Sequence, residues 1–197
     1  MKNLFLIILL FPLFFSCNFS TKGNTSRLLP EPDILERLTY QKAEIDTLTS
    51  RNKTKIINYI QLSESDLPFQ IDSIFEDDYY SEFVLYKDSL GKIISISEIP
   101  YSRSGDWFLV LTHYFDKEGK TFAFTKQFNT FLCLNGIGYE TTTEFYNSDF
   151  QIIAKKYELI DKDNNPISEN DCFDYNFEYT IFQNIDKYLK NKKIKNE

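Results

Sequence analysis

The 197-residue chain is poor in several residue types that carry chemistry. It has one histidine, His113, so a zinc site built on several imidazoles is excluded. No Gly-x-Ser-x-Gly stretch accompanies that histidine, so nothing marks a nucleophile for it to activate. There is no phosphate loop and no dinucleotide fingerprint. Positive charge is also short, with 22 Lys and Arg against 29 Asp and Glu. Nucleic acid is therefore not an expected partner, because phosphate binding needs clustered cations. Cysteine occurs three times, at Cys17, Cys133 and Cys172. Long apolar runs are missing except for Leu4 to Phe15, and those twelve residues fall short of the roughly twenty needed to span a bilayer.

That run sits between Met1-Lys2-Asn3 and Ser16-Cys17. A basic start, a short apolar stretch and a small residue before the cut describe a secretory signal. With Cys17 directly after Ser16, the segment resembles a bacterial lipoprotein signal, although Phe14 and Phe15 are bulkier than that pattern. The resemblance implies cleavage after residue 16, acylation of Cys17 with palmitate-type chains, and a membrane-anchored protein of the cell envelope, expected in the outer membrane. It covers only the export segment. Asn18 to Arg27 is rich in Ser, Thr, Asn, Gly and Lys without apolar period, so residues 17–32 read as a lipidated Cys on a flexible tether. Removing residues 1–16 takes away one charge, Lys2, and leaves 21 basic and 29 acidic residues, a net charge of −8.

Residues 33–195 read as a single α+β domain. Asp33 with Glu36 three residues on marks a helix start. A thin stripe of Ile34, Leu35, Leu38, Ile45 and Leu48, continued by Ile56, Ile57, Tyr59 and Ile60, predicts one or two helices over 33–62. Strand–turn–strand patterns follow around Asp88-Ser89-Leu90-Gly91 and Asp116-Lys117-Glu118-Gly119. Asp at the start and Gly at the end suit a type I turn with a glycine bulge. Looser versions occur at Asn147-Ser148-Asp149 and at Asp161 to Asn165. Along Trp107 to Phe115 both alternating faces are apolar, which predicts a central strand. Phe173, Phe177, Ile181, Ile185 and Leu189 recur every four residues and predict a C-terminal amphipathic helix. The expected architecture is an antiparallel β-meander with an N-terminal helical segment and that C-terminal helix packed on one sheet face.

Candidate sites are few. Asp161, Asp163 and Asn165 imitate the start of an EF-hand loop, but Pro166 stands where glycine is needed and Cys172 where a bidentate Glu is needed. The acidic run Glu76-Asp77-Asp78 reads as a solvated loop. No metal and no cofactor is implied. His113 shares a face with Trp107, Leu109, Leu111 and Phe115, which is the setting of a core histidine. An oxidising compartment permits Cys133 and Cys172 to pair; two separate buried thiols are the alternative. The stretch Pro100 to Trp107 gathers Tyr101, Arg103, Asp106 and the sole tryptophan, Trp107, beside Gly105. Tyr, Arg and Trp dominate binding hot spots, so these four are the candidate binding residues. The leading expectation is a non-enzymatic, lipid-anchored module that binds a protein or small ligand, an immunity-like role being one version. A carboxylate-dependent hydrolase and a structural spacer or assembly factor are the alternatives.

Overall fold

A computed structural model describes residues 33–195 except 52–53, 74–77, 135, 174 and 176. Cys17, its tether, Glu76 and Asp77 lie outside the described residues. Helix α1 (Ile34–Ser50) begins at N-cap Asp33, where the sequence places it. The strands are β1 (Lys55–Gln61), β2 (Phe69–Ile71), β3 (Ser81–Lys87), β4 (Ile93–Pro100), β5 (Trp107–Phe115), β6 (Thr121–Cys133), β7 (Gly136–Tyr146) and β8 (Ile152–Ile160), and helix α2 (Ile185–Lys192) closes the chain. All strands join one antiparallel sheet in the order β2-β1-β3-β4-β5-β6-β7-β8. The protein is therefore α+β, built on a meander from β3 to β8.

Two sequence expectations fail here. Residues 55–61 form a strand and not the continuation of a helix, with Ile57 opposite Leu85 and Tyr59 opposite Phe83. Three isoleucines and a tyrosine in seven residues suit a pleated, half-buried surface better than a helical stripe. The described residues of 173–184 are not helical, and α2 spans only 185–192. Spacing by four is also a harmonic of the strand period of two, and Tyr175 and Tyr179 fill the intermediate places. Its described residues form a strap, with Tyr175, Phe177 and Ile181 packed on a cluster of Leu109, Leu111, Phe124, Phe128 and Tyr146.

The core forms in patches. Tyr188 and Leu189 of α2 join Tyr59, Phe83, Leu85, Ile96 and Phe115. Leu38 and Ile45 of α1 join Tyr114, Phe122, Ala123 and Phe145. Tyr114 and its neighbour His113 point to opposite sides of β5. The His113 ring lies 5.0 Å from that of Tyr188, while the Tyr114 hydroxyl donates to Asp46 of α1 at 2.8 Å.

Four turns share one device. Asp88, Asp116, Asn147 and Asp161 each accept two backbone N–H bonds through the side-chain oxygen, from the residues two and four further on. The residue three places after each acceptor has positive φ: Gly91, Gly119, Phe150 and Asn164. At Gly119, φ is +77° and an added Cβ would lie 3.4 Å from Ile185 Cδ1 at the start of α2. Gly119→Val should therefore destabilise the protein by about 1–3 kcal/mol. A chemical-denaturation midpoint equal to that of the unaltered chain would contradict this turn assignment.

Candidate functional site

The β4–β5 pairing runs from Ser95 opposite Tyr114 to Glu98 opposite Leu111 and stops there. Beyond it stands Pro100, which has no N–H to offer a neighbouring strand. The connecting loop turns at Gly105, φ +70°, whose N–H donates to Ser102. Over this end of the sheet lies a cleft of about 730 Å³. Ser81 of β3, Glu98 of β4 and Leu109 and Leu111 of β5 line it, the strap adds Phe177 and Tyr179, and Lys192 enters from the end of α2. The volume is that of a small-molecule site, roughly 300–1,000 Å³.

Three of the four candidate binding residues meet here. Tyr101, Arg103 and Trp107 line the cleft. Tyr101 is half-buried, its ring 5.0 Å from Tyr79 and its hydroxyl donating to Asp78 Oδ1 at 2.9 Å. That hydrogen bond, more than any other cause, raises the phenol above its ordinary range. Arg103 is exposed. Trp107 is half-buried and sets its ring 4.7 Å edge-on to Phe177 of the strap. Asp106 is not among the lining residues; its carbonyl accepts from the Phe131 N–H at 2.9 Å.

Sequence reasoning missed the rest of the lining. Tyr79 and Tyr80 stand beside the acidic run, and burial raises both phenols, with carboxylates adding to it. Glu98 is nearly buried and accepts from Lys192 Nζ at 2.7 Å, joining β4 to α2 across 94 residues. Its signal was a lone charge within Ile93-Ile94-Ser95-Ile96-Ser97-Glu98-Ile99. Burial, and then the Glu98 carboxylate, push the Tyr188 phenol well above its usual range. Ser81 is 1% exposed, and its Oγ has no hydrogen-bond partner among the described residues.

The other candidates sit elsewhere. Cys133 and Cys172 are joined as a disulfide. His113 is buried, its Nε2 accepting from the Phe182 N–H at 3.0 Å. Asp161 spends its carboxylate on the turn it caps, and those hydrogen bonds hold its pKa low. A second depression, of about 710 Å³, contains Asp72 and Glu82. Burial raises the Glu82 carboxyl above its ordinary range. The chain matches no protein-family model, no curated protein and no solved structure.

Proposed function

We propose that this chain is a lipid-anchored protein of the cell envelope that works by binding a small ligand, with the cleft above β3, β4 and β5 as the ligand seat. The observation that carries the reading is the convergence of Tyr101, Arg103 and Trp107 on one cleft. Tyr and Trp supply large contact area with few rotatable bonds, and Arg supplies directed donors. In this reading α2 packs on the sheet face that carries the cleft and forms its back wall, which its shared cluster with Phe83, Leu85 and Ile96 supports. Binding is favoured over hydrolysis because the least exposed carboxylate lining the cleft, Glu98, is ion-paired with Lys192. The acidic surplus favours ligands other than nucleic acid.

The ligand test uses Trp107, the sole tryptophan, as its reporter. The small-molecule fraction of an envelope extract is added to the full chain while Trp107 emission is followed. Tyr101→Ala with Arg103→Ala should weaken the response by about 30-fold, the equivalent of roughly 2 kcal/mol, with only a small fall in melting temperature from the lost Tyr101 contacts to Tyr79 and Asp78. Equal titration curves for the double variant and the unaltered chain would sink the reading.

The anchor rests on residues 1–17. Each buried methylene contributes about 0.8 kcal/mol, so several acyl chains hold a protein on a membrane durably. Cys17→Ser should move the protein from the membrane fraction to a soluble or uncleaved form. Mass spectrometry that finds Cys17 unmodified in the membrane-bound protein would refute the anchor.

A further inference from the structure

We infer that the ligand of this cleft is a neutral oligosaccharide; the inference rests on the cleft being the binding site. Four acidic residues (Glu64, Asp66, Glu98, Glu178) and three basic ones (Arg103, Lys192, Lys193) line it, so its charge is close to balanced. The cation nearest the floor is already neutralised, since Lys192 lies 2.7 Å from Glu98. An ionic ligand finds no surplus of opposite charge there. A purely apolar ligand fares no better, because it would cover the Glu98–Lys192 pair and leave the buried Ser81 Oγ without a partner.

What the cleft does offer is hydrogen-bonding groups of both kinds beside aromatic faces. The Glu98 carboxylate accepts, the Lys192 ammonium donates, and the Ser81 hydroxyl does either. A sugar hydroxyl also donates and accepts, so one ligand class satisfies all three. Tyr80, Tyr101, Trp107, Phe177 and Tyr179 surround these groups, with Tyr80 47% and Tyr179 39% exposed. The negative ring faces attract the weakly positive C–H groups that line one side of a pyranose. A peptide is the other candidate of similar size. Peptides are held on sheets chiefly by backbone bonds to a free strand edge. Here Ser81 lies on β3, which is paired on one side with β1 and on the other with β4. Recognition at the floor thus falls to side chains, which suits hydroxyl groups better than amides.

The test applies the full chain, fluorescently labelled, to an array of neutral glycans, acidic glycans and short peptides, and then titrates Trp107 emission with the captured compounds. At least one neutral glycan of three or four sugar units should be captured and should shift Trp107 emission saturably. Ser81→Ala should weaken that glycan at least tenfold without lowering the melting temperature, since the serine hydroxyl makes no hydrogen bond among the described residues that its loss would break. Capture of acidic glycans or peptides alone, or of nothing on the array, overturns the assignment of a neutral saccharide. So does a neutral glycan that binds the Ser81→Ala variant equally well. The cleft itself stands or falls separately, on whether Tyr101→Ala with Arg103→Ala changes the response to the envelope extract.

Discussion

Replacing both Cys133 and Cys172 by alanine is expected to destabilise the protein by about 4 kcal/mol. The bridge closes a loop with a sequence separation of 39, and removing a crosslink of that span restores about this much entropy to the unfolded chain. Its place in the fold makes the effect local as well as global. The Leu134 N–H donates to the Asp171 carbonyl and the Phe173 N–H to the Leu132 carbonyl, so the bridge ties the strap to the end of the β6–β7 hairpin. The hairpin is built for it: a Cβ on Gly138 would stand 2.6 Å from Cys133 Sγ and 3.2 Å from Cys172 Sγ. At its other end the strap is held by Thr121, whose hydroxyl donates to the Phe182 carbonyl at 2.6 Å and whose N–H donates to the Gln183 carbonyl. Between these anchors it rests on ring contacts, Phe177 against Trp107 and Phe128, Tyr179 against Phe124. Freed at Cys172, the strap should loosen from Trp107. The double variant should therefore unfold at lower denaturant and, while still folded, show red-shifted Trp107 emission. An unchanged midpoint together with unchanged emission would mean that the ring contacts alone hold the strap.

The sequence made the turns legible because their chemistry is local. An Asp or Asn that accepts from the N–H groups two and four residues on, and a Gly with positive φ, need nothing from the rest of the chain. The double-sided character of β5 was legible for the same reason, since alternation along nine residues reports burial on both sides. The strand at 55–61 and the strap at 173–184 were not. Each carries a periodicity that two structures share, and the choice is made by distant partners: Phe83 and Leu85 for β1, Trp107, Phe124 and Phe128 for the strap. The cleft divides likewise. Tyr101, Arg103 and Trp107 stood out because one short loop gathers them. Ser81, Glu98 and Lys192 come together only after β3, β4 and α2 have packed. Cys133 and Cys172 lie 39 residues apart, and their pairing depends on where the strap crosses the hairpin, which composition does not encode.

Acidification from pH 7 to pH 4 is expected to cost the protein about 3 kcal/mol of stability through His113 alone. The side chain is 2% exposed and is ringed by Phe115, Phe124, Phe182 and Tyr188 at centroid distances of 5.0 to 6.2 Å. Its Nε2 accepts from the Phe182 N–H, so the ring is neutral with its proton on Nδ1, which has no partner among the described residues. Burial, and to a lesser degree the Lys192 charge, lower its pKa from 6.5 to about 3. The unfolded chain binds the proton at the ordinary value and the folded one does not. The stabilisation is accordingly complete above pH 6.5 and is lost progressively as pH falls from there towards 3. Protonation also removes the acceptor for Phe182, the residue that fixes the strap next to α2. His113→Gln keeps an acceptor for that N–H but does not titrate. The variant should be less stable at pH 7, because the aromatic shell fits an imidazole, yet it should lose less on acidification. Carboxylates titrate over the lower part of the same range in both proteins, so the difference between the two curves isolates the histidine. Urea midpoints measured at intervals from pH 7 to pH 4 decide it: parallel curves would show that His113 binds its proton equally well in the folded and unfolded chains.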